Sequence, residues 1–258
     1  MLTPNSNQGR FIRNIRAALG KSEHDIPARE AAIFTSRKSP AQAQSLETIR
    51  SRSDAEQRAL LDRLIEEGKP LNLKVIPQKD VASAAAAIAG LVAGTSPEWG
   101  DRKSVVQWDH PLISELNLSA ALGEQNVPVH TAAFEGDADR AGQRARIRQQ
   151  VTDAYIGVTS ADFCLADTAT LVMKTRPGEA RSVSLVPSVH VAVIRLEQIL
   201  ADLKELYAML KWDPDQQAEG LTHHMAFISG PSKTADIELV MVHGAHGPRA
   251  LWLYVITG

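Results

Sequence analysis

The sequence predicts an α/β fold built on a parallel sheet, with antiparallel β elements added in the second half of the chain. Up to about residue 150, short apolar runs alternate with stretches of helical spacing, which is typical of parallel strands joined by helical crossovers. After residue 153, several β segments follow one another with short connections, which favours antiparallel pairing. We therefore expect an open, helix-covered sheet plus a β portion of different connectivity.

The N-terminal part of the chain predicts one helix and a linker. Apolar residues recur at helical spacing over residues 8–19, and Gly20 is a typical helix end. Residues 21–45 are rich in Pro, Ala, Gln and Ser without a period, which predicts a flexible linker. The expected domains are an arm over residues 1–45 and a core domain over residues 46–258.

The first half of the core domain predicts alternating helices and strands. Ser53-Asp-Ala-Glu56 matches a capping box, in which the Ser and Glu side chains bind free backbone amides at the start of a helix. The expected strands lie at 73–76, 104–108 and 127–130, and the expected helices that follow them lie at 80–94, 110–122 and 137–150.

The second half predicts more strands and two loops that carry polar residues. The expected strands lie at 153–158, 169–174, 182–185, 189–194 and 225–228, with a turn or short helix at 161–166 and a helix at 196–210. Ligands bind at the carboxyl ends of strands in open α/β sheets. We therefore expect the loop that begins at Thr159 and the loop that begins at Ser229 to share a cleft.

Composition indicates an ordinary globular protein and excludes several functions. The net charge of −2 provides no basic field for nucleic acid or an anionic membrane. The single cysteine, Cys164, excludes an internal disulfide framework and an iron–sulfur cluster held by this chain alone. Because neither a secretory leader nor an apolar run of bilayer length is present, we expect a cytoplasmic chain with no membrane span.

The first candidate site is the segment from Ser229 to Arg249. Pro231 is expected at the first position of a helix, whose free N–H groups suit a carboxylate or phosphate. The alternative is a capped turn in which hydroxyls merely satisfy the backbone. Arg249 is either a bidentate carboxylate clamp or a surface charge. The predicted binding residues here are Ser229, Gly230, Ser232, Lys233, Thr234, Asp236, Gly247 and Arg249.

The second candidate site lies between Asp162 and Thr170. The hydroxyls of Thr168 and Thr170 suit a hydroxy acid or a phosphate, and Asp167 suits accepting a proton or orienting a base. The alternative is an Asx-type turn before a strand. Because a carboxylate repels an anionic substrate, Asp162 and Asp167 are expected to position other residues.

His246, Glu238 and Asp167 are the predicted catalytic residues, with His246 as a general acid or base beside the Gly-Pro-Arg turn. His190 lies inside an apolar strand, so it is either a core histidine or a ligand-binding residue. The histidine spacing fits no tight zinc signature, so no metal is expected.

Four segments are similar to one known family. They are Gly157-Val-Thr-Ser-Ala-Asp-Phe-Cys-Leu-Ala-Asp-Thr-Ala-Thr-Leu-Val172, Leu185–Val193, Ile228–Glu238 and His246–Arg249. In these segments the chain resembles the lactate utilization protein C family, which carries the LUD domain. The chain departs from that family's pattern at Ala169, where a glycine is common, and at Cys164, where a small apolar residue is common.

The resemblance implies a three-layer α/β fold of the NagB/RpiA/CoA-transferase kind with an added β portion. The sequence pattern adds antiparallel pairing in that portion and an N-terminal helical arm. It also implies a role in the oxidation of L-lactate to pyruvate, beside an iron–sulfur oxidoreductase subunit and an iron–sulfur/LUD subunit.

The resulting hypothesis is a non-redox subunit that binds a small anionic metabolite. No nicotinamide fingerprint, P-loop or cysteine cluster is present, so iron–sulfur clusters are expected in the partner subunits and no cofactor in this chain. One alternative is a free-standing isomerase or acyl/CoA-transfer enzyme with Glu238 or His246 as its acid or base. Another is an assembly or regulatory protein that docks through the N-terminal helix.

Overall fold

The structure is a computed structural model that describes residues 7–20, 38–98, 100–136, 139–220, 222, 224–235, 241–244 and 246–258. The helices are α1 (Asn7–Ala18), α2 (Pro40–Ser51), α3 (Asp54–Gly68), α4 (Val81–Gly94), α5 (Pro111–Glu115), α6 (Leu118–Ala121), α7 (Arg140–Asp153), α8 (Leu203–Trp212) and α9 (Pro214–Glu219). The strands are β1 (Leu73–Gln78), β2 (Val105–Gln107), β3 (Val129–Thr131), β4 (Ile156–Thr159), β5 (Phe163–Leu165), β6 (Thr170–Lys174), β7 (Val189–Arg195), β8 (Ile199–Leu200), β9 (Met225–Ile228), β10 (Lys233–Ala235), β11 (Met241–His243) and β12 (Ala250–Ile256).

Contacts divide the chain into a unit that ends at Ala43 and a larger unit that begins at Gln44. In the first unit, α1 confirms the predicted N-terminal helix. The helix α2 begins at Pro40, within the stretch predicted as a linker, and residues 21–37 lie outside the described residues. No helix in the described part of the chain is both long and apolar enough to cross a membrane.

A parallel sheet forms the centre of the larger unit. Within the described residues it has six strands in the order β1–β12–β7–β4–β2–β3, and every neighbouring pair is parallel. β12 lies inside the sheet although it follows the other strands in sequence, and its Leu251 pairs with Leu73 of β1. This arrangement confirms the predicted parallel α/β core.

Both faces of the parallel sheet are buried, as its nearly continuous apolar strands require. Side chains alternate along β7, so Val191 and Val193 join an apolar cluster with Ile88 of α4 on one face. Ala192 and Ile194 belong to the cluster on the other face, which includes α3 and the second sheet. The sheet is thus the middle of three layers.

The second sheet has the order β8–β5–β6–β9 and packs on the same face as α3. Strand β6 is antiparallel to β5 and β9, whereas β8 is parallel to β5. Along β5, Cys164 faces the parallel sheet, while Phe163 and Leu165 join a cluster with Leu206 of α8. The predicted antiparallel portion is confirmed as a separate sheet. Its strands β5 and β6 lie in sequence between β4 and β7, and its strands β8 and β9 follow β7.

Three local predictions between residues 160 and 210 differ from the structure. Residues 161–166 contain β5 rather than a turn or short helix, because Phe163–Leu165 are buried between two apolar layers. Residues 182–185 fall largely in a 3-10 turn, Arg181–Ser184, rather than in a strand. The helix expected from 196 begins only after Asp202, whose side chain accepts hydrogen bonds from the first free amides of α8.

Candidate functional site

The segment from Ser229 to Ala235 is a turn followed by a strand. Strand β10 pairs antiparallel with β11, and the Ser232 amide donates to the Pro248 carbonyl at 2.8 Å. The prediction that Pro231 begins a helix is wrong, because this backbone is used by the β10–β11 hairpin and by the corner before β12. The binding role of Lys233, which is exposed, and of Thr234 in β10 stays a prediction.

Gly230 is the one position of this turn where the residue type is dictated by close approach. It adopts φ +99°, and a Cβ atom there would lie 2.7 Å from the Leu71 carbonyl oxygen. A side chain is therefore excluded both by the backbone conformation of Gly230 and by the nearby backbone at Leu71.

The two predicted loops meet at a group of hydroxyls. Thr170 Oγ1 lies 2.7 Å from Ser229 Oγ and 2.9 Å from Thr168 Oγ1. Asp167 follows β5 in the same turn, and its Oδ1 is buried without a hydrogen-bond partner among the described residues. The structure thus brings together part of both candidate sites, at the end of the second sheet remote from Asp162.

Arg249 and Asp162 lie at opposite ends of the strands of the parallel sheet, because Arg249 precedes the amino end of β12 and Asp162 follows the carboxyl end of β4. The Arg249 guanidinium pairs with Glu98, whose carboxylate also accepts from Ser188 Oγ at 2.7 Å. The single cleft expected between residues 159–170 and 229–249 is therefore divided.

The remaining predicted residues around Arg249 are described only in part. His246 is exposed, and a Cβ atom on Gly247 would lie 3.3 Å from Ser232 Cβ. Asp236 and Glu238 lie outside the described residues.

His190 lies in the core and is 1% exposed. Its Nε2 atom is 2.8 Å from Thr159 Oγ1, while Nδ1 has no partner among the described residues. Burial lowers the pKa of His190 to about 3, so the ring is neutral near pH 7. In the sheet His190 is paired with Gly157, and a Cβ atom on Gly157 would lie 1.9 Å from the Val183 carbonyl oxygen.

Asp162 belongs to a network of charges that the sequence did not predict. Its Oδ2 accepts from the Lys174 amide at 2.6 Å, and its Oδ1 pairs with Arg176 Nη2. Arg176 Nη1 pairs with Glu179 at 3.0 Å, and Arg176 Nε pairs with Glu219 at 2.5 Å. One guanidinium thus holds three carboxylates, from the start of β5, from the turn after β6 and from α9.

Two features set the charge of this network. The Lys174 ammonium is buried between Glu219 and Gln216, so two cations face three carboxylates. Burial raises the pKa of Glu179, whereas the hydrogen bond from Arg176 lowers the pKa of Glu219. Of these two glutamates, Glu179 therefore takes up a proton more readily than Glu219.

A cavity of about 350 Å³ opens beside Arg176, at the carboxyl ends of the parallel strands. Its lining consists of Trp108, His110 and Pro111 after β2, Ala161 and Asp162 after β4, Gln198 after β7, and Arg176 and Glu179 from the turn after β6. The Gln198 amide donates to the Ala161 carbonyl and so ties two of these loops together.

His110 presents a hydrogen-bond donor in this cavity. Its Nδ1 atom accepts from the Leu112 amide at 3.2 Å and caps α5, so the proton of the neutral ring is on Nε2. Burial, followed by the nearby charge of Arg176, lowers the pKa of His110 and keeps the ring neutral.

The sequence carried only part of the signal for this cavity. Asp109 and His110 follow the strand predicted at 104–108, just as Asp162 follows the strand predicted at 153–158. The same rule about strand ends would have included them. Arg176 and Glu179 follow β6, and they reach the cavity only because β6 returns antiparallel to β5. The return was not placed here because residues 163–165 were not predicted to form a strand.

Comparison with known proteins identifies the family. The family model described as the LUD domain matches residues 41–256. A lactate utilization protein C from Halalkalibacterium halodurans is 33% identical over 156 residues, which cover 59% of this chain and 63% of that relative. The chain thus aligns with less than two thirds of that relative's length. The protein YkgG from Escherichia coli (strain K12) is 28% identical over 96% of this chain and 98% of its own.

A solved structure supports the fold. The crystal structure of a DUF162 family protein from Deinococcus radiodurans superposes with a TM-score of 0.50 at 20% identity, covering 79% of this chain and 98% of that chain. The match of the family model to most of the chain is decisive for membership. The chain belongs to the LUD domain family.

Proposed function

We propose that this protein is a non-redox subunit of a system that oxidises L-lactate to pyruvate. The observation that carries the proposal is the LUD domain match over residues 41–256, together with relatives named lactate utilization protein C. The partners in this proposal are an iron–sulfur oxidoreductase subunit and an iron–sulfur/LUD subunit.

The cysteine content supports the assignment of the electron carriers to partners. The sequence contains one cysteine, whereas an iron–sulfur cluster is held by several thiolates. Cys164 is fully buried, and burial raises the pKa of its thiol, so the thiolate form is disfavoured. In the proposed division of labour, this chain binds a small anionic metabolite and the partners carry electrons.

Deletion of the gene tests this proposal. A strain that lacks the chain should fail to grow on L-lactate as sole carbon source and should grow normally on pyruvate, because only the oxidation step is removed. A plasmid copy with an affinity tag should restore growth and should co-purify two iron–sulfur proteins. Normal growth of the deletion strain on L-lactate, without such partners in the purified sample, would refute the proposal.

A further inference from the structure

The cavity beside Arg176 lies at a topological switch point of the parallel sheet. Strands β2 and β4 are neighbours. After β2 the chain continues to β3 on one side, whereas after β4 it continues through the second sheet to β7 on the other side. The two loops diverge, and the crevice between diverging loops is where open α/β sheets bind ligands. Residues after β2 and β4 line the cavity.

Donors and acceptors both face this cavity. A guanidinium has five N–H donors, and the ion pairs of Arg176 use one each on Nε, Nη1 and Nη2, which leaves two. His110 adds its Nε2–H donor. Asp162 and Glu179 supply carboxylate oxygens, while Trp108, Pro111 and Ala161 supply apolar wall.

From this arrangement we infer that the cavity binds a short 2-hydroxycarboxylate, with Arg176 as the receptor of its carboxylate. The two remaining Arg176 N–H groups bind the ligand carboxylate. The 2-hydroxyl donates to Asp162 or Glu179 and accepts from His110 Nε2–H, and a short alkyl group packs against Trp108. The inference rests on the proposed function and names the ligand class and the residues that recognise it.

Because the groups around the cavity carry a net negative charge, ligand binding should be coupled to the uptake of a proton. The charged groups around Glu179 are Arg176, Asp162 and Glu219, and Lys174 pairs with Glu219 from β6. The neutral His110 lines the same cavity. With all of them ionised, three carboxylates face two cations, so a further carboxylate enters a net negative site. Protonation of Glu179, whose pKa is raised by burial, removes this excess. Binding should therefore strengthen as the pH falls through the raised pKa of Glu179.

A ligand series provides the first arm of the test. Calorimetric titration of the full chain should show saturable binding of L-lactate. Pyruvate should bind more weakly, because its keto oxygen cannot donate to Asp162 or Glu179, and propionate should bind most weakly, because it lacks the oxygen. Equal affinities for the three acids, or an L-lactate Kd weaker than about 10 mM, would overturn the inference.

Substitutions provide the second arm. Arg176→Gln should weaken L-lactate binding at least about tenfold, because a charge-assisted bidentate contact is lost. His110→Asn should weaken it several-fold, since Asn still caps α5 but has no donor at the Nε2 position. The matched control is Arg146→Gln. It removes an arginine of α7 that pairs with Glu135, and it should leave the affinity for L-lactate unchanged.

The two proposals fail separately. If Arg176→Gln does not fold by circular dichroism, His110→Asn still tests the cavity. Unchanged affinity in the folded variants overturns the cavity assignment and leaves the deletion phenotype to judge the function. Arg176-dependent binding in a protein whose deletion spares growth on L-lactate supports the cavity and rejects the proposed function.

Discussion

Gly157 is a residue at which the parallel sheet tolerates no side chain. A Cβ atom would meet the backbone oxygen of Val183 at 1.9 Å, and a backbone atom within a packed 3-10 turn cannot move aside cheaply. Gly157→Ala should therefore lower the free energy of unfolding by about 3 kcal/mol, at the upper end of overpacking in a core. Urea denaturation followed by circular dichroism measures the change.

Gly90 provides the matched control for that substitution. It lies within α4, and a Cβ atom there has no heavy atom within 4 Å. Gly90→Ala should raise the unfolding free energy by about 0.5–1 kcal/mol, because alanine is the better helix former. Opposite signs at the two glycines are the expected result, and a stabilising Gly157→Ala would contradict the close approach to Val183.

His190 couples stability to pH. Because its folded pKa is about 3 and an unfolded histidine has a pKa of about 6.5, the unfolded chain binds the additional proton between these values. Stability should therefore be lost as the pH falls from about 6.5 towards 3. The slope contributed by one such group is at most about 1.4 kcal/mol per pH unit.

Replacement of His190 by a side chain that does not titrate isolates this contribution. His190→Gln keeps a polar partner for Thr159. Between pH 4 and 6 it should reduce the slope of unfolding free energy against pH by up to about 1.4 kcal/mol per pH unit, the contribution of one proton. An unchanged slope would show that other groups dominate acid unfolding. Ionic strength should be held constant across the series.

The turn between β5 and β6 contains a strained alanine. Ala169 is fully buried and adopts φ +44°, a left-handed conformation that costs an L-residue about 1–2 kcal/mol. Glycine removes this cost but loses about 0.5–1 kcal/mol more entropy on folding. Ala169→Gly should thus be neutral or stabilising by up to about 1 kcal/mol in thermal or urea unfolding.

The neighbouring Ala166 provides the control for Ala169→Gly, because the backbone at Ala166 is not left-handed. It is equally buried and is not among the described residues with positive φ. Ala166→Gly should destabilise by about 1 kcal/mol. Equal losses at the two positions would argue against the left-handed turn. The left-handed backbone at Ala169 is a conformation that favours glycine.

Local sequence signals predicted those elements whose cause is local. The Ser53–Glu56 capping box is formed as predicted, and the apolar runs of β7 and β12 define buried parallel strands. The short strand β5 was missed because three residues carry no period. The helix expected after Gly230 was wrong because the hairpin β10–β11, a non-local pairing, uses that backbone.

Across the whole molecule, the sequence predicted the class of fold better than the grouping of polar residues. The alternation of helices and strands is a pattern over many residues, and it defines the parallel sheet. The distance between two loops depends instead on strand order. Because the strands are parallel, Arg249 before β12 and Asp162 after β4 lie at opposite ends of the sheet. His110 after β2 and Arg176 after β6 line one cavity because β5 and β6 are inserted in sequence between β4 and β7.

The interior position of β12 has a consequence for synthesis on the ribosome. Leu251 pairs with Leu73, 178 residues earlier, and β12 separates β1 from β7. Until residues 250–256 have been translated, β1 lacks its parallel partner and one edge of β7 is unpaired. Exposed apolar edges of this kind pair readily with other chains. A nascent chain stalled before β12 therefore exposes unpaired strand edges on β1 and β7, and these edges are paired only after β12 has been translated.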